Sequence, residues 1–218
     1  MMESVQYRVK LPSYTFGEEL FNSISHGIGA AVGVLGLVLM VLKASTPLAV
    51  VCAALFGASI VITYTISCVY HALPPTLAGK RVVRVLDHCG VFLLVFGTYI
   101  PASLIGVGGA LGWALFGTVC LFSIIGTVLT AIDVDRFSKA AVACHLVCGW
   151  SIVMGLAKLF VTCGFYGMAL IVAGGLAYTV GAILYGLGRD RSYIHSVFHV
   201  FCLAGTLFHF AAIYQFML

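Results

Sequence analysis

The chain has 218 residues, 62% of them hydrophobic and only 8% charged, with a formal net charge of +4. At a mean hydropathy of +1.14 it carries too little polar surface to coat a water-soluble globule, which excludes a soluble domain of any size and argues against nucleic acid as a partner. What remains is an all-α integral membrane protein. Helices of about 20 apolar residues cross a bilayer, and the chain has room for roughly seven with short loops.

Residues 1–16 contain Arg8, Lys10 and Pro12 and read as a short polar tail on the cytoplasmic face. Glu3, Glu18 and Glu19 so close to the start, and no small-residue cleavage site after the first apolar run, argue against a secretory signal, so that run is expected to stay as the first span. From Gly17 to Leu218 the pattern predicts a single seven-helix transmembrane domain, with spans at about 24–42, 48–71, 83–105, 111–131, 139–158, 165–187 and 194–216. Thr98, Tyr99 and Pro101 interrupt the third span and predict a kink with local polar contacts. Asp133, Asp135 and Arg136 read as a solvated loop. The eight cysteines lie almost entirely inside apolar runs with no CxxC, as small buried hydrophobes rather than a disulfide framework. Gly29 and Gly33 have the spacing that lets helix backbones approach in lipid.

Lys and Arg gather on the cytoplasmic side of membrane proteins. An N-terminus inside puts Arg8, Lys10, Lys80, Arg81, Arg84, Arg136, Lys139, Arg189 and Arg191 on that side, against only Lys43 and Lys158 outside. That asymmetry predicts an odd number of spans, with the N-terminus cytoplasmic and the C-terminus outside.

This topology brings the end of the second span, the start of the third and the start of the seventh to one depth. Those places carry His71, Asp87, and His195 with His199. The last two are four apart, hence on one helix face. Polar side chains in lipid are costly and usually functional. Three imidazoles with an open fourth position are the composition of a catalytic zinc site, where a nearby carboxylate such as Asp87 can orient a water and take its proton. Three neutral imidazoles leave the ion at 2+, and Asp87 with a bound hydroxide neutralises it. Ser67, four residues before His71, shares its face and could orient the imidazole or meet an oxyanion. Glu19, Asn22 and His26, at i, i+3 and i+7, are expected to form a capping and hydrogen-bond network behind the site. His209 is about 15 Å further along the helix than His199 and falls outside the set. His88 points about 100° away from Asp87, and His145 is the weaker rival.

The segment ELFNSISHGIG (Glu19–Gly29), Ser67-xxx-His71, Asp87 in DHCGVFLLVFGTYIP, and His195-xxx-His199 with a trailing His209 together resemble the hemolysin III family, related to progestin and adiponectin receptors and more remotely to alkaline ceramidases. The resemblance covers about residues 17–216. It implies seven helices with Zn2+ near the cytoplasmic side, held by His71, His195 and His199, with Asp87 holding the water. Two functions follow as expectations. One is a zinc-dependent hydrolase of lipid amide or ester bonds, with a membrane lipid as substrate or ligand, in the bacterial plasma membrane and without a soluble partner. The other is a sensor, channel-like or membrane-perturbing protein in which zinc is structural.

Overall fold

The computed structural model describes residues 9–187 and 191–218; Glu3, Arg8 and Arg189 lie outside the described residues. Every regular element among them is helical: α1 (Phe16–Lys43), α2 (Pro47–Ala72), α3 (Gly79–Pro101), α4 (Gly109–Ile132), α5 (Ser138–Trp150), α6 (Leu156–Leu187) and α7 (Ile194–Phe216). A π-helical turn, Ala102–Val107, extends α3, and a 3-10 stretch, Ser151–Gly155, joins α5 to α6. Taken across these joins, six segments are long and apolar enough to cross a membrane, one of them the 50-residue run Ser138–Leu187. Large apolar side chains such as Leu35, Ile124, Val161 and Tyr166 point outward and are exposed. An apolar exterior wrapped around buried polar groups is the reverse of a soluble protein and fits a multi-pass membrane protein.

Local chemistry sets the helix ends. Thr15 caps α1 with a capping box: its side chain accepts from the Glu18 N–H, and the Glu18 carboxylate accepts from the Thr15 N–H at 2.8 Å. Thr46 caps α2, followed by Pro47, whose fixed φ suits the first helical position. Pro101 cannot donate to the carbonyl four residues back, and the helix widens directly after it into the π turn, closed by Gly108 N–H to Ser103 O at 2.9 Å. The expected polar contacts are here: the Thr98 hydroxyl donates to Leu94 O at 2.8 Å, and the Tyr99 hydroxyl donates to Gly149 O at 2.9 Å while accepting from the Ile152 N–H at 3.0 Å.

Contacts along the helices give their directions. The α3 segment runs parallel to Ser138–Cys163, with Phe92 stacked on His145, Tyr99 bonded to Gly149, and Gly106 O accepting from the Thr162 hydroxyl. The part of α6 after Gly164 runs antiparallel to α7, since Gly167 lies against Phe216, Gly174 against His209 and Gly181 against Phe198. Gly164 itself is not helical, at φ 63 and ψ −168. Its conformation is almost that of Gly108 (φ 65, ψ 176), where the chain reverses from the π turn into α4. The sequence places a loop over 159–164; helix instead continues to Cys163 and reverses on one residue.

The first polar segment is not a free tail over its described part. Lys10 N–H donates to Asp135 Oδ2 at 3.4 Å, and Arg84 grips the same carboxylate through two nitrogens at 2.9 and 3.1 Å. The Asp133–Arg136 loop is therefore not merely solvated: Asp133 folds it by accepting from the Asp135 and Arg136 N–H groups, and Asp135 anchors α3. All eight cysteines are free.

Candidate metal centre

His71 stands in the last turn of α2, and His195 and His199 in the first two turns of α7. All three are buried, His199 at 1% exposure. One ligand atom from each lies within 4.8 Å of the other two. The Nε2 atoms of His195 and His199 are 3.0 Å apart, close to the ~3.3 Å that two nitrogens take around a tetrahedral ion with Zn–N bonds of about 2.0–2.1 Å.

The atom left open on His71 points to the same use. Its Nδ1 is 2.6 Å from Glu19 Oε2, whereas its buried Nε2 has no hydrogen-bond partner among the described residues. A carboxylate on Nδ1 fixes the proton there and turns the Nε2 lone pair to the centre, the arrangement that supports metal-bound imidazoles. Glu19 Oε1 in turn accepts from Lys80 Nζ at 2.6 Å, and Lys80 also donates to Leu73 O. The donor set and the orphaned nitrogen fit a borderline divalent ion such as zinc.

The residues expected behind the site divide. Glu19 is not a cap, a role taken by Thr15 and Glu18; it backs His71. His26 stacks on His199 with ring centroids 3.7 Å apart and planes 15° apart. Asn22 is fully buried, and among the described residues neither its side-chain amide nor the two His26 ring nitrogens have a hydrogen-bond partner. Ser67 and Asp87 line one cavity together with His195 and His199. His88 does not turn away from this group: its Nδ1 is 3.5 Å from Asp87 Oδ2 and its Nε2 is 3.2 Å from the Tyr185 hydroxyl. His145 stacks on Phe92 and His209 contacts Ile171 O, both apart from the three-histidine set.

Two residues at the centre escape the sequence reading. Lys80, a loop cation by sequence, is only 2% exposed; its position seven residues before Asp87, two turns along one face, is the available signal. Tyr14 stacks on His195 at 5.0 Å and 21°, and lies 5.7 Å from the His71 ring. Burial raises its pKa, so the phenol stays protonated. No periodicity marks a residue ahead of the first helix.

The cavity, about 260 Å³, extends from His26, Ser67, Asp87, His195 and His199 to Ile213 and Met217 near the other end of the bundle. Its lining is mostly apolar, and between α5 and α6 it includes Leu146, Trp150 and Val153, which are 41–50% exposed on the outer surface. The cavity thus has a side facing the surroundings of the bundle.

A helical multi-pass membrane protein with three buried histidines converging beside an apolar cavity is the class that fold and site define. The chain belongs to the family described as Haemolysin-III related, which it matches over residues 14–210. It is 33% identical over 204 residues to Hemolysin-3 of Bacillus cereus, covering 92% of each chain. To the Hemolysin-3 homolog of Bacillus subtilis (strain 168) it is 29% identical over 196 residues, 88% of this chain and 91% of the relative.

Proposed function

We propose that this protein is a zinc-dependent hydrolase of lipid amide or ester bonds, crossing the bacterial plasma membrane seven times with its N-terminus and metal centre at the cytoplasmic side. Seven crossings follow from dividing Ser138–Leu187 at Gly164, as its opposed contacts with α3 and α7 support. The orientation rests on charge. Lys10, Lys80, Arg81, Arg84, Arg136, Lys139 and Arg191 sit at the site end, and Lys43, bonded to Tyr214 O, and Lys158 at the other.

The observation that carries the reading is the convergence of His71, His195 and His199, with Glu19 behind His71, on an apolar cavity. These three imidazoles would hold the ion, which when bound supplies a Lewis acid and an activated water. Glu19 holds His71 in the ligating tautomer, and Lys80 offsets the Glu19 charge. Asp87, on the cavity wall, would take the proton from water as its oxygen bonds to the acyl carbon and return it to the amine or alcohol as the carbon–nitrogen or carbon–oxygen bond breaks, with the Ser67 hydroxyl on the same wall. The apolar cavity, with its wall between α5 and α6 facing the bilayer, suits an acyl chain.

Metal analysis and lipidomics of wild type and His199→Ala test the proposal. Wild type is expected to hold one zinc per chain and to change the cell's lipid profile, and His199→Ala to lose both. A purified wild type without stoichiometric metal rejects it. A second reading has support in the printed name of the Bacillus cereus relative, Hemolysin-3: a membrane-perturbing protein with structural zinc. It predicts ion or dye flux in protein-loaded liposomes, and absence of flux counts against it.

A further inference from the structure

The segment just before α1 is tied down at both ends and carries an aromatic ring across the three-histidine centre. At its start, Lys10 N–H donates to Asp135, the carboxylate that Arg84 also grips. At its end, the Thr15 N–H and hydroxyl both donate to Glu18 Oε2 at 2.8 Å. Glu18 Oε1 accepts the backbone N–H of Tyr193 at 2.6 Å. Tyr193 precedes α7 in the left-handed conformation, φ 61, two residues before His195. The Glu18 carboxylate, 4% exposed as a residue, therefore clasps the end of the strap to the start of the helix that carries two of the three histidines.

Between these anchors Tyr14 lies nearly parallel to His195, 21° between planes, and tilted over His71. Among the described residues whose rings pack on the three imidazoles, it alone comes from outside the helices, since His26, Tyr70, Tyr185 and Phe198 all belong to α1, α2, α6 or α7. Helix packing holds those rings in place, whereas Tyr14 is held by the strap's few polar ties.

We propose that residues 10–15 are a removable cover of the histidine centre, with the Tyr14 ring shutting its water-facing side and the Glu18–Tyr193 clasp holding the cover closed. Metal and small water-soluble reagents then reach the centre only when the strap lifts, while an apolar ligand in the cavity leaves it in place. The metal half of this rests on reading the histidines as ligands; the cover itself does not.

Two arms test it on the full-length protein in detergent. Diethyl pyrocarbonate, a water-soluble imidazole acylating reagent, is applied to metal-stripped protein and modification is followed by mass spectrometry. His195 is expected to be protected in wild type, to react about tenfold faster in Tyr14→Ala, and to stay within about twofold of wild type in Tyr14→Phe, because the ring and not the hydroxyl covers the site. Buried His209, against Ile171 O, reports global opening. Should Tyr14→Ala expose His209 too, the graded variants Tyr14→Trp, Tyr14→Phe and Tyr14→Leu decide: protection falls as the ring is lost. Equal His195 rates in wild type and Tyr14→Ala, or no dependence on ring size in the graded set, overturn the cover. In the second arm, zinc release from loaded protein to a chelator is expected to quicken about tenfold in Tyr14→Ala at unchanged stoichiometry, and equal release rates overturn the metal half. A wild type that holds no zinc rejects the proposed hydrolase, and the labelling arm still decides the cover.

Discussion

Glu19 shows how much one carboxylate settles at the residue scale. It joins three helices, accepting from His71 on α2 and Lys80 on α3 while rooted in the first turn of α1. Because Glu19 and Lys80 cancel in charge, a divalent ion beside Asp87 still needs one further negative charge for neutrality, as a low-dielectric site requires. Glu19→Gln keeps the shape but gives Nδ1 a weaker acceptor, and the expected loss in zinc affinity is about 10–100-fold, read by competition with a chromophoric chelator. His71→Ala removes one of the three proposed ligands, and metal retained at wild-type stoichiometry in that variant would refute its assignment. In the sequence, the spacing of Glu19, Asn22 and His26 reveals a shared helix face but not what each touches. Of these three side chains, that of Glu19 finds polar partners, while His26 finds a ring to stack on.

At the scale of elements, single glycines decide where helices turn back. Gly164 has open space where a Cβ would project, with nothing within 4 Å, so a substitution there tests conformation alone. Gly164→Ala is expected to lower stability by about 1–2 kcal/mol, because an L residue resists the left-handed region. Gly175, inside α6 and equally uncrowded, is the control, where Ala is expected to stabilise by about 0.5–1 kcal/mol through its helix propensity. Thermal unfolding in detergent measures both, and opposite signs are the diagnostic result. The sequence locates this break to within a few residues, because apolar periodicity persists through 159–163 and does not mark a one-residue reversal. The widened end of α3 is easier to anticipate, since a proline without an N–H must disturb the ladder wherever it sits inside a helix.

For the whole molecule, polar groups converge at one end of an apolar bundle. Arg84 and Asp135 clamp that end, pairing α3 with the α4–α5 loop while the strap's Lys10 N–H joins the same carboxylate. Arg84 is 5% exposed, and Asp135→Asn leaves a buried guanidinium without its countercharge; the expected cost is about 3 kcal/mol, seen as a lowered unfolding temperature in detergent. The orientation can be checked directly. A reporter enzyme active only outside the cytoplasm is expected to be active when fused after Leu218 and inactive when fused before residue 10. The reverse pattern would move the centre to the outer side and break its link to the positive loops.

The sequence by itself determined the class, the helices and the candidate ligand set. Hydropathy, helical spacing and loop charge are local or one-dimensional properties, and His71, His195, His199 and Asp87 could be placed at one depth by counting residues along spans. Only the tertiary structure decided which of those side chains meet and what stands behind them. Rotation of each helix about its axis sets whether His26 stacks or binds, whether His88 turns towards Asp87, and whether Lys80 faces water or Glu19, and that rotation follows from packing against neighbours. Tyr14 is the clearest case. A residue outside every helix has no period to reveal its face, so its place over His195 exists only once the strap is tied across the fold.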